Sequence, residues 1–133
     1  MQSKAILGHE DVTRILAAAR AEALKNNWPV GIAVVDDGGH LLAYERLDGA
    51  AASTAYIAPG KARTSALGRK ESKVFEDMVN NGRTAFLSGG IMTCLEGAVP
   101  LVFEGQVIGA IGVSGVKASE DAQIARAGAA ALA

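Results

Sequence analysis

The sequence predicts an α+β fold built on a mainly antiparallel sheet. Two pairs of strand-like runs are each joined by a tight turn signal, Asp37-Gly38-Gly39 in the first pair and Glu104-Gly105 in the second. Strands joined so closely must run antiparallel. Helical patterns precede the first pair, occur between the pairs and follow the second. We therefore expect helices packed on the faces of one sheet.

The first part of the chain predicts a helix over residues 9–27 followed by two strands. Apolar residues recur at three- and four-residue spacing along this helix, while charged residues fall largely on its other side. Residues 30–35 are almost all apolar, which is typical of a strand buried on both faces. Residues 40–47 return as the second strand of the hairpin.

The middle of the chain predicts two helices and a loop. Residues 48–60 are small and polar, and Pro59 with the glycine after it marks a break, so we expect the next helix over residues 61–70. Ser72 is a candidate N-cap for a further short helix. Residues 83–90 end in Ser-Gly-Gly and predict a loop.

The last third predicts a second hairpin and a final helix. Residues 99–103 and 106–114 are strand-like, and Ser119 is a candidate N-cap for a helix that runs to Leu132. No repeat, linker or low-complexity segment divides the sequence, so we expect residues 1–133 to form one domain. The predicted order is a helix, two strands, two helices, two or three strands and a helix.

Composition and charge exclude several classes of function. The 133 residues include 13 Lys+Arg and 14 Asp+Glu, for a formal net charge of −1. This balance offers no basic surface for general nucleic-acid binding or for a polybasic membrane anchor. The sequence shows neither a secretory signal nor an apolar stretch of membrane-spanning length, so we expect a cytoplasmic protein.

The cysteine count and the small-residue content give two further expectations. The single cysteine, Cys94, excludes an internal disulfide and a multi-cysteine zinc site, and its default role is buried packing. The chain has 16 glycines and only 5% aromatic residues, which leaves little side-chain volume to fill a core. Such a chain gains apolar burial by associating with copies of itself, so we expect a homo-oligomer, at least a dimer.

A glycine-rich run at residues 109–115 leaves the last predicted strand and precedes the last helix. Its backbone N–H groups and the dipole of that helix could bind an anion, although the spacing matches neither a dinucleotide loop nor a P-loop. The alternative is that the glycines let a helix or another subunit cross the strand closely. Both interpretations stay open for Gly112, Ser114 and Gly115.

Two cations could share a site with this run in the predicted fold. Arg46 ends the second strand and Lys61 begins a helix. Arginine offers a planar fork for a carboxylate and lysine a point charge, so the two could hold a small anionic metabolite. The alternative is that both cations form surface salt bridges with nearby aspartates. Glu96 and Asp121 are the nearest candidates for proton transfer if a reaction occurs there.

His9 and His40 are the only imidazoles in the sequence. Neither belongs to a cluster with metal-ligand spacing, so no protein-built metal site is predicted. Either one could serve as an axial haem ligand through a neutral ring nitrogen. The alternative for His40 is a solvated residue of the hairpin turn.

Four separated blocks of the sequence resemble a known family. They are VVDDGGHLLA at residues 34–43 with ERLDGA at 45–50, IA at 57–58 with KART at 61–64, VIGAIGVSG at 107–115, and EDAQIA at 120–125. This pattern is similar to the GlcG/HbpS-like family, which includes a haem-binding extracellular protein and the C-terminal domain of the PduO cobalamin adenosyltransferase. The similarity covers nearly the whole chain.

The resemblance implies a profilin-like α+β fold, with an antiparallel sheet of about five strands flanked by helices. It also implies homo-oligomers, from dimers to octamers, haem binding in some members, and roles beside small-molecule catabolism. One departure lies before the second hairpin. Relatives commonly have Pro-Gly-Gly-x-Pro there, whereas this chain has Glu-Gly-Ala-Val-Pro at residues 96–100.

Three functions are compatible with these observations. The first is a haem- or small-metabolite-binding protein with an accessory or sensor role. The second is a small isomerase- or hydrolase-type enzyme for an anionic carbonyl or carboxylate metabolite, in which Glu96, His40 or Asp121 moves a proton. The third is an assembly partner for another enzyme. We expect the first, because the resemblance to the GlcG/HbpS-like family implies it and because the sequence contains no recognisable catalytic constellation.

Overall fold

The computed structural model describes residues 1–132, which contain four strands and four α-helices. In chain order the elements are α1 (His9–Lys25), β1 (Gly31–Asp36), β2 (Leu41–Arg46), α2 (Thr54–Gly68), α3 (Ser72–Asn80), β3 (Ala98–Phe103), β4 (Gln106–Ser114) and α4 (Ala118–Ala129). Short 3-10 helices cover Thr84–Gly89 and Ala130–Leu132. The α+β class and both predicted hairpins are confirmed.

The strands form one antiparallel sheet in the order β2-β1-β4-β3. The two hairpins lie side by side and join through β1 and β4, so that Gly31 is opposite both Arg46 and Ser114. The expected count of about five strands is wrong for residues 1–132. The segment between the hairpins forms helices and irregular turns, which leaves no further strand to extend the sheet.

Large aliphatic side chains build the core on one face of the sheet. There α1 and α4 pack against the two inner strands. The fully buried members of this core include Ile15, Ala19, Ile32, Val34, Ile111, Val113 and Ile124. Burial of each of the larger side chains stabilises the fold by about 1.5–3 kcal/mol.

The other face of the sheet is covered by α2, whose inward side is made of small residues. The buried cluster there consists of Ala33, Val35, Ala58, Ala62, Ala66 and Ala110. A Cβ atom at Gly112 would clash with the Ala58 carbonyl oxygen and would lie 2.6 Å from the Ala62 nitrogen. Gly112 therefore lets the helix cross the strand at very close range.

Helix α2 begins at Thr54, not at Lys61 as predicted, and it continues through Pro59. Proline lacks the N–H that would bond to the carbonyl one turn earlier, and in a helix interior it costs about 3 kcal/mol. The helix continues because its inward-facing residues on both sides of this proline, Thr54 and Ala58 before it and Ala62 and Ser65 after it, are buried. Lys61 consequently lies in the middle of the helix.

The predicted cap at Ser72 is wrong, although α3 does begin there. Glu71 is the N-cap residue, and Ser72 is fully buried. The Ser72 hydroxyl accepts a hydrogen bond from the Ala98 backbone N–H at 3.0 Å and thereby ties α3 to β3. The hydroxyl therefore pairs with a buried backbone amide of the sheet instead of capping the helix.

Two further boundaries differ from the prediction. Helix α4 starts one residue before Ser119, because the Glu120 carboxylate accepts a hydrogen bond from the Lys117 backbone N–H at 3.3 Å and fixes the start there. The helix gives way to a 3-10 turn before Leu132. None of the helices within residues 1–132 is both long enough and apolar enough to cross a membrane.

Candidate functional site

Lys61 and Asp121 form a buried ion pair at the end of β4. Lys61 lies on α2 and Asp121 in the first turn of α4, so the pair reaches around the strand end from one face of the sheet to the other. Lys61 Nζ donates to the Val113 carbonyl at 3.0 Å and to Asp121 Oδ2 at 3.1 Å. The two residues are only 4% and 2% exposed. The Lys61 ammonium is therefore engaged by protein groups rather than by solvent.

Both carboxylate oxygens of Asp121 have protein partners. Oδ2 accepts from Lys61, and Oδ1 accepts from the Val116 backbone N–H at 3.1 Å. Burial raises the pKa of the Asp121 carboxyl above its ordinary value, and the neighbouring Lys61 ammonium only partly opposes this rise. A carboxyl so enclosed holds α4 against α2 and is shielded from solvent.

The backbone of Gly97 lies directly against the Lys61 side chain. It adopts a φ of +140°, and a Cβ atom there would lie 2.7 Å from Lys61 Nζ. A side chain at this position would displace the ammonium. The neighbouring Glu96 is half-buried, and its backbone N–H donates to Glu76 Oε1 at 3.1 Å. Glu96 thus lies next to the backbone that covers the ion pair.

The end of the glycine-rich run also serves close packing. Gly115 has a φ of +143°, and a Cβ atom there would lie 2.6 Å from the Pro29 carbonyl oxygen. Ser114 is buried. The group of this run that faces Lys61 is the Val113 carbonyl, which is a hydrogen-bond acceptor. Toward Lys61, therefore, the run presents an acceptor rather than the N–H donors that an anion would need.

Arg46 ends the edge strand β2 at the same end of the sheet as Ser114, and Gly31 of β1 lies between the two residues. The exposed Arg46 side chain lines a cavity of about 530 Å³, whose other lining residues are Ala23, Leu24, Asn27, Trp28, Pro29, Leu47, Asp48 and Gly49. Lys61 is not among them, so this cavity does not bring the two predicted cations together. Asp48 is one of the nearby aspartates considered above as salt-bridge partners, and it lies two positions after Arg46 without forming an ion pair with it within residues 1–132. Trp28 was not predicted, and it meets Arg46 only because the end of α1 packs beside the end of β2.

His40 is held by a carboxylate that the sequence analysis also missed. Asp36 Oδ1 accepts hydrogen bonds from the backbone N–H groups of Gly38 and His40, both at 2.9 Å, and lies 3.0 Å from His40 Nδ1. An ionised carboxylate can only accept, so Nδ1 carries the ring proton and Nε2 of the neutral ring keeps its lone pair. The His40 side chain is 79% exposed, which leaves Nε2 accessible to a ligand.

His9 begins α1 beside a smaller, mostly apolar cavity. This cavity measures about 280 Å³ and is also lined by Leu7, Gly8, Val12, Thr13, Leu16, Leu42 and Ala43. Leu42 and Ala43 belong to the first half of β2, the strand that directly follows His40. The two histidines therefore lie near the same end of the edge strand.

Protein side chains alone do not build a metal centre in the part of the chain that the structure describes. No group of three or more His, Cys, Asp or Glu side chains is arranged there to hold a metal ion. Cys94 is a free, half-buried thiol whose pKa is raised by burial, so it is a poor thiolate nucleophile at neutral pH. A metal bound by these residues would have to arrive with most of its own ligands.

A family model described as "Haem degrading protein HbpS-like" matches residues 7–130. The chain belongs to the HbpS-like family. Protein GlcG of Escherichia coli K12 is similar to this HbpS-like chain. The two are 58% identical over 114 residues, which cover 86% of this chain and 85% of GlcG.

Solved structures of similar proteins agree with the fold of this HbpS-like chain. A double mutant of Streptomyces reticuli HbpS matches with a TM-score of 0.91 at 30% identity, over 100% of this chain and 91% of that protein. A complex of PduOC with haem matches with a TM-score of 0.86 at 26% identity, over 96% and 95% of the two chains. The expected resemblance to the GlcG/HbpS-like family is thereby confirmed.

Proposed function

We propose that this HbpS-like protein binds haem or another small molecule and has an accessory or sensor role in small-metabolite catabolism. The observation that carries the proposal is the Asp36–His40 pair, in which Asp36 engages Nδ1 and the side chain that carries Nε2 is exposed to solvent. Histidines that ligate metals commonly donate their other ring N–H to a carboxylate in this way. The haem in the PduOC complex and the haem named for the family model support this choice of ligand.

The residues at the start of β2 fit a haem held on the surface. A porphyrin needs an axial nitrogen and an apolar surface, and it supplies the remaining iron ligands itself. His40 offers the nitrogen, and the exposed side chains of Leu41 and Leu42 offer apolar surface. The recess beside His9, about 280 Å³, is at the lower limit of small-molecule pockets. A haem would therefore lie across the edge of the sheet rather than inside the domain.

The proposal includes self-association, as a dimer or a larger assembly up to an octamer. Many large apolar side chains are exposed on the isolated chain, among them Leu24, Leu41, Tyr56, Leu87, Ile91, Val102 and Phe103. Association between copies removes such surface from water. A second copy placed across β2 would also cover the open side of a haem bound at His40.

Titration of haemin into the purified protein, followed by the Soret band, tests the proposal. We expect a saturable shift with the wild type, a weaker shift with His40→Ala or His9→Ala, and no shift with the double variant. Glu10→Ala, which removes another exposed side chain at the start of α1, is the matched control and should behave like the wild type. An unchanged shift in the double variant would exclude histidine ligation, and the absence of any shift in the wild type would exclude haem.

A further inference from the structure

The cavity beside Arg46 has one wall that is fixed by the end of α1. Asn27 adopts a φ of +57°, its N–H donates to the Leu24 carbonyl at 3.2 Å, and the Trp28 N–H donates to the Ala23 carbonyl at 2.9 Å. This is a Schellman-type helix end. It turns the chain back on itself and sets Trp28 in the wall of the cavity.

The opposite wall is the turn that follows β2. The Leu47 N–H donates to the Val30 carbonyl at 2.9 Å, and the Ala50 N–H donates to the Leu47 carbonyl at 3.1 Å. Gly49 has a φ of +90°, and its Cβ position lies 3.5 Å from the Pro29 Cβ atom. Backbone hydrogen bonds hold both walls, so the cavity is formed before a ligand arrives.

Arg46 and Asp48 are the charged groups of this cavity. Neither belongs to an ion pair within residues 1–132, whereas Arg14, Arg20 and Arg126 each contact a carboxylate. A guanidinium without such a partner can bind an external carboxylate through two parallel hydrogen bonds. The Asp48 carboxylate can accept a hydrogen bond from a hydroxyl or amine on the same ligand.

We propose that this cavity binds a small organic acid that has a planar apolar body and a hydrogen-bond donor. Arg46 holds the carboxylate, Asp48 accepts from the donor, and Trp28 packs against the apolar body. The volume of about 530 Å³ lies within the range of small-molecule pockets. The inference rests on the small-molecule part of the proposed function. It is independent of haem, because Arg46 ends β2 whereas His40 precedes that strand.

The only tryptophan of the chain provides the measurement. Because Trp28 is unique, its indole N–H gives a single resonance in a proton–nitrogen correlation spectrum. The probes are 4-hydroxybenzoate, benzoate and 4-hydroxybenzamide. We expect 4-hydroxybenzoate to shift this resonance saturably, with a Kd of about 1 mM or lower. Benzoate, which lacks the donor, should bind more weakly, and the uncharged amide should bind about tenfold more weakly or worse.

Variants then assign the carboxylate contact to Arg46. Arg46→Ala should weaken 4-hydroxybenzoate binding about tenfold or more, and Arg46→Lys should have an intermediate effect because it keeps the charge but loses the planar fork. Arg83→Ala is the matched control, since Arg83 also has no ion pair within residues 1–132 and does not line the cavity.

Three results would overturn this proposal. They are equal affinity for the acid and the amide, wild-type affinity in Arg46→Ala, and an indole resonance that no probe shifts. Haemin titration of the same samples keeps the two proposals separate. A protein that fails to bind haem but passes the probe series loses only the haem assignment, and the reverse pattern removes only the organic-acid site.

Discussion

Lys61 Nζ lies 3.1 Å from Asp121 Oδ2 although the two residues belong to helices on opposite faces of the sheet. The Val113 carbonyl, near the end of β4, accepts a second hydrogen bond from the same ammonium. Both side chains are almost wholly removed from solvent. Because a buried charge is costly without its partner, this pair controls stability where the two helical layers meet.

Replacing Lys61 should strongly destabilise the fold. Lys61→Met keeps a long side chain but leaves Asp121 as a buried carboxylate without a cation. We expect the free energy of unfolding, measured with urea at neutral pH, to fall by about 3–5 kcal/mol. Lys73→Met removes an exposed ion pair with Asp77 and should leave the free energy of unfolding nearly unchanged, because such a pair is screened by solvent. Equal losses in the two variants would contradict the role assigned to the buried pair.

The cost of Lys61→Met should depend on pH. Burial already raises the pKa of Asp121, and loss of the ammonium raises the folded-state pKa further. A carboxyl whose pKa is higher in the folded state than in the unfolded state stabilises the fold when it is protonated. This stabilisation is fully present below the unfolded-state pKa of about 3.9, and it is lost as the pH rises through the folded-state pKa. The variant should therefore be less destabilised at pH ~4 than at pH ~7. Adding Asp121→Asn should abolish that difference, and its persistence would assign it to another group.

Adding one methyl group at Gly112 should disturb the packing of α2 on β4. A Cβ atom there would meet the Ala58 carbonyl and the Ala62 backbone. We expect Gly112→Ala to lower the free energy of unfolding by about 1–3 kcal/mol. Gly89→Ala is the control, because a Cβ atom there meets nothing within 4 Å, and it should change stability by no more than about 0.5 kcal/mol. Thermal and urea unfolding of both variants provide the comparison.

Loss of the carboxylate behind His40 should weaken haem binding. Asp36→Asn removes the anion that keeps the proton on Nδ1, and such a change typically lowers metal affinity about 10- to 100-fold. The haemin titration described above measures this effect. Asp37→Asn, in the same turn but paired with Lys4, should retain wild-type affinity. If Asp36→Asn also does so, Asp36 does not position the imidazole for a ligand.

The protein should assemble into a homo-oligomer. Its aromatic content is low and many of its large apolar side chains are exposed, so association would bury surface that the isolated chain leaves in water. Sedimentation at micromolar concentration should show at least a dimer. A single species near 13.6 kDa, the mass of one chain, would refute the prediction.

The features that local sequence signals determine could be predicted. Both hairpins follow from glycine-containing turns between strand-like runs, and the structure has β1, β2 and β4 within about one residue of the expected bounds. The Asp36–His40 contact is equally local. Aspartate side chains bind nearby turn amides, so the aspartate four positions before His40 could have been recognised as its partner.

The features that depend on tertiary packing could not be predicted. Lys61 and Asp121 are 60 positions apart in the chain, and no spacing rule joins them. Pro59 predicts a break, but burial of the residues on both sides of it against the sheet favours a continuous helix. Arg46 and Trp28 share a cavity only because a helix end packs beside a strand end.

The sheet order β2-β1-β4-β3 also determines how the chain must fold. Each hairpin can form early from neighbouring residues, but the junction of β1 with β4 joins positions as distant as Gly31 and Ser114 and closes a long loop. Until that junction forms, both apolar inner strands expose an unpaired backbone edge. Such edges readily associate between chains. A newly synthesised chain is therefore most prone to aggregation in the interval before its two hairpins meet.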